Sequence, residues 1–501
     1  MPVGLLAAGE PTGELTTFGV VLGAVALAAM AAVLSNRLSD LIRVPAPALF
    51  LFAAAAASDL FPRLGTLAIG TVREIVTVAL ILVLFSGGME IGWRRLRPAL
   101  VPVLSIGVLG TVFTAVALAA AAHLLFDFAW LPALLLGTAL APTDPAAVFS
   151  VLGRREVVGR AGTILEGESG ANDPVGIALM LSLLAAGTAS GWSAVGTGLR
   201  EFVLQLGIGG VVGLLGGRVL LLLMRRVSLP SEGLYPLQVL FGGAAVYGLA
   251  TLAHGSGFLA VFLAGILIGD ARAPFKLEIE RFHGALASLG EIVAFTVLGL
   301  GVSLRGLHEQ RALLVGLVLA VLLALLIRPL LVGGLLTVVR LRWGERIFIA
   351  WSGLKGAVPI LLATFILTAD VPEQVRLFDV VFVVVAFSVV VQGGLVPTVA
   401  RLCGVRMRSH PLQPFAVGLR VSDEPRAVRR LRVADGSAVV GRTVRELSRD
   451  EGIWVNLVSR GGQQLGVQAD TTLAAGDEVL VTTHNAEDHD RTTALFDAPP
   501  D

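Results

Sequence analysis

The chain has 501 residues, of which 55% are hydrophobic and 15% charged, with a formal net charge of +1. This is the composition of a polytopic membrane protein. The near-zero charge offers no basic surface for a nucleic-acid partner, and the single cysteine, Cys403, excludes an intrachain disulfide. Residues 1–13 lack a basic n-region, so no cleaved signal peptide is expected.

About 13 apolar stretches are long enough to cross a hydrocarbon core of roughly 30 Å. They fall near 16–36, 45–61, 71–92, 98–123, 131–152, 161–186, 194–224, 235–253, 257–270, 283–303, 311–339, 345–368 and 377–402. Alternate loops are rich in arginine: Arg94, Arg95 and Arg97; Arg154, Arg155 and Arg160; Arg225 and Arg226; Arg401, Arg406 and Arg408. The intervening loops hold few basic residues. The excess of cytoplasmic positive charge then places the N-terminus outside and the C-terminus inside.

Beyond residue 410 the chain turns polar. Short alternating segments at Val417–Val421, Arg430–Val433, Trp454–Ser459 and Glu478–Thr482 read as strands, and Thr443–Arg449 reads as a short helix. The expected division is a transmembrane domain over 1–405, a linker over 406–414 and a small cytoplasmic α+β domain over 415–501.

Ionisable groups inside apolar spans are costly and mark functional positions. In span 6, Glu168-Ser169-Gly170-Ala171-Asn172-Asp173-Pro174 places Ser169 and Asp173 on one helical face. Pro174 has no N–H, so a carbonyl is freed one turn back, near Gly170. A carboxylate, a hydroxyl and a free carbonyl are the hard oxygen ligands a small monovalent cation needs in place of water. Helical rise puts Asp173 about 18 Å into its span, Asp144 in span 5 about 20 Å and Lys355 in span 12 about 14 Å, so the three converge on one depth. Arg328 in span 11 falls about 24 Å down, in the layer of Glu168, and a structural ion pair is expected there. Pro142 and Pro145 interrupt span 5, and Gly353, Gly356 and Pro359 weaken span 12. Broken helices at the midplane are tolerated where they line a cavity, and they point to a transporter site. Spans 4–6 and 11–13 start on opposite sides, as an inverted repeat requires. The fold class is therefore an all-α polytopic membrane protein with inverted repeats and two broken helices, plus the small α+β domain.

These segments resemble the NhaP-type monovalent cation:proton antiporters of the sodium/proton exchanger superfamily. The resemblance lies in Ala141-Pro142-Thr143-Asp144-Pro145, in Glu166 to Pro174 with its Asn172-Asp173 pair, in Arg328, and in Trp351 to Pro359. Val440 to Leu447 and Ala475 to Leu480 resemble a TrkA-C (RCK C-terminal) domain, a combination similar to the potassium/proton subgroup. Two departures stand out. Lys355 occupies the place of an arginine usual in the second broken helix, in a chain whose only other lysine is Lys276. Ser86 stands where many relatives carry an acid on span 3.

The resemblance implies a transporter, not an enzyme, with no cofactor. It exchanges K⁺, or next Na⁺, for protons across the inner membrane for cation and pH homeostasis. Asp173 binds either a proton or a cation and never both, which couples the two fluxes. One exchanged carboxylate implies one cation per proton and no net charge moved. Ser169 and Thr143 complete the ligand shell and Asn172 orients it. Asp144 either neutralises half-helix ends or orients Thr143. A homodimer is implied, and the C-terminal domain is read as regulated by a nucleotide or other small ligand. Glu291 is either a second buried acid or a structural hydrogen-bonding group, and His123, His254 and His283 read as interfacial. An RCK-domain-gated cation channel is the alternative, although no Gly-Tyr-Gly filter segment is present. An intramembrane hydrolase is weaker still, since Ser169 has no histidine at its depth.

Overall fold

A computed structural model describes residues 26–35, 46–61, 68–152, 155–157, 159–187, 192–271, 273–302, 311–339, 341–369, 371–409, 428–461, 463–483 and 489–497, with a few isolated positions between them. The expected strand at Val417–Val421 lies outside these residues. The chain divides into two compact units, Met1–Pro411 and Leu412–Asp501.

In the first unit, the described helices fall on each of the expected spans. Among the described residues, seven helical runs are long and apolar enough to cross a membrane, and shorter apolar helices supply the rest. In chain order the helices are α1 (Ala26–Ser35), α2 (Ala46–Leu60), α3 (Ile69–Leu96), α4 (Leu100–Leu104) and α5 (Thr111–Phe126). α6 (Trp130–Leu140) and α7 (Pro145–Leu152) are the halves of the first broken span. Next come α8 (Arg160–Ala186), α9 (Trp192–Arg226), α10 (Leu234–Leu252), α11 (Gly257–Gly269) and α12 (Lys276–Leu300). α13 (Ala312–Leu322) and α14 (Arg328–Leu335) form one span, and α15 (Trp343–Trp351) and α16 (Ala357–Thr368) are the second broken one. α17 (Gln374–Phe387) and α18 (Gly394–Leu402) form the last.

Among the described residues, three π-helical segments interrupt these spans: Ser105–Gly110, Leu323–Ile327 and Ser388–Gly393. Such widened turns re-aim the side chains that follow. Two of them occupy matching places, each in the span before a broken one.

The helices pack as two bundles. α2, α3 and α9 to α12 pack on one another, while α5 to α8 and α13 to α18 form the other group. α3 and α12 meet α8 and α16 between them. His283, expected at an interface, is instead 1% exposed. α12 begins at Lys276, about two turns earlier than the span read from hydropathy. The ring is therefore carried inward, where its Nδ1 lies 2.8 Å from the Ile279 carbonyl.

A two-stranded antiparallel pair closes the first unit. β1 (Arg155–Val157), between α7 and α8, pairs with β2 (Met407–Ser409). Regular structure thus runs into the stretch 406–414 expected as linker.

In the second unit, β3 (Val428–Arg432), β4 (Ile453–Arg460), β5 (Gln463–Leu465) and β6 (Glu478–Thr483) form an antiparallel sheet in the order β3-β6-β4-β5. Its inner face packs Val455, Val458, Val479 and Val481 against α19 (Val444–Asp450) and α20 (His489–Phe496) through Leu447 and Phe496. Thr443 caps α19 in a reciprocal box with Glu446.

One charge is set inside this unit. Buried Asp477 accepts from Arg460 Nε at 2.8 Å and Nη2 at 2.9 Å, and from the Ala474 N–H at 2.8 Å. The Arg460 hydrogen bonds hold its carboxyl below the usual carboxylate range. A depressed folded-state value gives stability that is present above the unfolded value of about 3.9 and is lost as pH falls through the folded one. Thermal unfolding of the wild type should therefore weaken below about pH 4, while Asp477→Asn should be less stable at neutral pH and flatter toward acid. Parallel acid profiles for the two proteins would remove the assignment.

Candidate functional site

The site forms where the two broken spans cross. Pro142 and Pro145 deny hydrogen-bond donors to the turns around them, so α6 stops at Leu140 and α7 restarts with Pro145 in its first turn. α15 stops at Trp351 and α16 restarts at Ala357. The unwound strands between the halves bond to each other: the Asp144 N–H donates to the Leu354 carbonyl at 2.8 Å.

Each half-helix end meets a charge of the opposite sign. Lys355, 1% exposed, donates from Nζ to the carbonyls of Ala141 and Pro142 at 3.0 and 2.9 Å, at the negative end of α6. Arg328 donates from Nε to the Ala350 carbonyl at 2.9 Å, at the negative end of α15. Asp144 directly precedes α7, and its carboxylate lies against Gly356, which precedes α16, so it stands at two positive ends. A Cβ at Gly356 would overlap that carboxylate, and one at Gly353 would overlap the Arg328 guanidinium. Both positions therefore require glycine for close approach.

The second bundle face of α8 is tied down separately. Arg328 Nη2 lies 2.7 Å from Glu168 Oε1, and both residues are buried. Asn172 Nδ2 donates to Thr143 Oγ1 at 2.7 Å, linking α8 to the break of span 5. Sequence reasoning missed the support behind the second break. Ser388 Oγ accepts from the Lys355 N–H at 3.0 Å and donates to Gln392 Oε1 at 3.0 Å, and Gln392 Nε2 donates to the Trp351 carbonyl at 2.5 Å. The signal was available as two polar residues four apart in an otherwise apolar span.

A cavity of about 30 Å³ lies at the crossing. Thr143, Asp144, Asp173 and Glu291 form its polar wall, and Leu80 and Phe295 form part of the apolar one. It is large enough for one water or one dehydrated alkali cation. Asp173 is 8% exposed and has no hydrogen-bond or ion-pair partner among the described residues. Ser169, one turn earlier on α8, is buried but does not line the cavity. Among the described residues no group of three or more His, Cys, Asp or Glu side chains gathers as a multidentate metal site would need. Neutral oxygens and one or two carboxylates suit a monovalent ion.

Two broken spans crossing beside a buried, unpartnered carboxylate define a secondary transporter. Residues 25–402 match the sodium/hydrogen exchanger transmembrane family, and residues 428–487 match the TrkA-C domain. The chain belongs to the sodium/hydrogen exchanger family and is a cation:proton antiporter of the multi-pass membrane class. It is 36% identical to the K(+)/H(+) antiporter NhaP of Alkalimonas amylolytica, over 85% of this chain and 74% of that protein. It is 34% identical to the K(+)/H(+) antiporter NhaP2 of Shewanella sp. strain MR-4, over 82% of this chain and 72% of the relative. The Na(+)/H(+) antiporter NhaH of Halobacillus aidingensis is 30% identical over 66% of this chain and 83% of its own. Among solved structures, the sodium proton antiporter MjNhaP1 of Methanocaldococcus jannaschii has the same fold, with a TM-score of 0.66 at 22% identity over 77% of this chain and 99% of that one.

Proposed function

We propose that this antiporter exchanges K⁺ for H⁺ one for one, without net charge movement, in the inner membrane, and serves cytoplasmic cation and pH homeostasis. The observation that carries the reading is Asp173, buried and unpartnered beside a cavity sized for one ion. In a low-dielectric site such a carboxylate takes either a proton or a cation, and either one neutralises it. Thr143, held by Asn172, supplies a neutral oxygen, and Ser169, buried one turn before Asp173 on α8, supplies another. Asp144 and Lys355 offset half-helix ends, and the Glu168–Arg328 pair fixes α8 against α14.

K⁺ is favoured because the relatives named for potassium match more of this chain, at higher identity, than the one named for sodium. The arginine-rich loops support an outside N-terminus and a cytoplasmic C-terminus. The same reading includes a homodimer, a transmembrane domain ending near residue 405, and a TrkA-C domain over 415–501 that regulates exchange through a small ligand such as a nucleotide. Support for regulation comes from β2, which leaves the last span and pairs with β1 between the two site helices α7 and α8.

The test is cation-induced proton movement in proteoliposomes with K⁺, Na⁺, Li⁺ and Rb⁺ compared, on the full chain and on one ending at Ser409. K⁺ should collapse an imposed pH gradient at the lowest concentration, with no response to membrane voltage. A response to Na⁺ or Li⁺ alone would replace the potassium assignment. Voltage-driven ion movement without protons would favour a channel. Identical rates and ion dependence with and without the C-terminal domain would remove its regulatory role.

A further inference from the structure

The cavity beside Asp173 is walled from both bundles. Asp173 comes from α8, in the bundle with the two broken spans. Glu291 comes from α12, which packs on α2 and α3 in the other bundle. α3 gives the lining only apolar side chains, among them Leu80, and Ser86 is buried elsewhere. Like Asp173, Glu291 has no hydrogen-bond or ion-pair partner among the described residues. Asp144 stands against two half-helix ends, and Lys355 is spent on the carbonyls of Ala141 and Pro142. Asp173 and Glu291 are therefore the two carboxylates of this cavity with no hydrogen-bond or ion-pair partner among the described residues.

The geometry points to Glu291 as a second carboxylate of the cation site, contributed by the opposite bundle and setting affinity and selectivity. The inference rests on the exchange reading above. Ionised carboxylates that line one small cavity repel one another, and a cation seated among them offsets their charges. A neutral side chain at 291 leaves Asp173 able to exchange and weakens its hold on the ion. Because the two acids ride on different bundles, a shift of one bundle past the other separates them. Glu291 then holds the ion in one orientation of the carrier and lets it go in the other.

Purified full-length wild type, Glu291→Gln and Glu291→Asp are compared in proteoliposomes for K⁺-, Rb⁺- and Na⁺-driven proton movement, with Asp173→Asn as the inactive control. In Glu291→Gln the apparent KM for K⁺ should rise about 10-fold or more, with the maximal rate kept within about 3-fold and the order of preference among the ions flattened. Glu291→Asp should restore much of the wild-type KM. In detergent, K⁺ should raise the melting temperature of the wild type and not of Glu291→Gln at the same concentration. A merely structural glutamate would lower stability without moving selectivity or the K⁺-dependent shift. If Glu291→Gln fails to fold, Glu291→Asp carries the test, and an unchanged KM and ion preference there overturns the inference. A normal wild type with an unchanged Glu291→Gln overturns it alone, whereas a wild type that moves no protons with any cation takes the exchange reading down with it.

Discussion

Asp173→Asn abolishes cation-driven proton movement and leaves a folded protein in the membrane. Asparagine matches aspartate in size, so the packing of α8 and the cavity wall is preserved. It carries no proton that can be released and no charge that can offset a cation. The other polar groups near the cavity are engaged elsewhere. Thr143 accepts from Asn172, Lys355 holds two carbonyls, and Asp144 faces two helix ends. Glu291 remains as a second acid, but it sits on the bundle that does not carry the broken helices, so it cannot accompany the ion through the exchange. The expected signal is that of empty vesicles for K⁺ and Na⁺ alike, with a melting temperature close to wild type. Proton movement at a tenth of the wild-type rate or more, on the order of 1.4 kcal/mol in barrier, would show that another group carries the proton.

Arg328→Met destabilises the transmembrane unit by about 3–5 kcal/mol, the usual cost of stranding one member of a buried pair. The substitution leaves the Glu168 carboxylate buried without its 2.7 Å partner and the Ala350 carbonyl without its donor. It also opens space against Gly353, where the guanidinium now fits. Glu168→Leu does the reverse and strands the arginine. The double variant, with Leu at 168 and Met at 328, removes both charges together, and it should recover a large part of the loss, because a buried pair is often worth little net against apolar residues of similar size. Detergent melting temperatures in this double-mutant cycle read the coupling directly. Additive losses, or single variants as stable as the wild type, would deny the pair its role in holding α8 against α14. Residual exchange in the double variant at near wild-type KM would also separate a structural pair from a transport one.

The spans, the two breaks and the polar stretch around Asp173 were all legible in the sequence. Hydropathy and helical rise are local properties, so an apolar run predicts a crossing and a residue's place in it predicts depth. Pro142 and Pro145 announce an interruption wherever they stand, because a missing N–H needs no partner to be felt. Depth alone placed Glu168 and Arg328 in one layer, and the structure has them 2.7 Å apart. In the C-terminal unit, the alternation at Arg430–Val433, Trp454–Ser459 and Glu478–Thr482 marked three of the four described strands, whereas three-residue β5 is too short to leave a period.

Other features depend on which way each helix is turned, and that is decided by packing between segments far apart in the chain. Lys355 reads as a charge in a broken helix, but its two carbonyl partners lie 214 and 213 residues away. The Ser388–Gln392 support relies on a π-helical segment, whose extra residue per turn no local pattern declares. Glu291 was visible as an acid in an apolar span, but only the meeting of α12 with α16 shows which cavity it faces. Local chemistry along the chain already specifies a many-span membrane protein with a buried acid among broken helices, because the bilayer penalises charge and unpaired backbone wherever they occur. Which charges face each other is set by packing, because a helix shows every side chain at some angle and its neighbours select which of them meet.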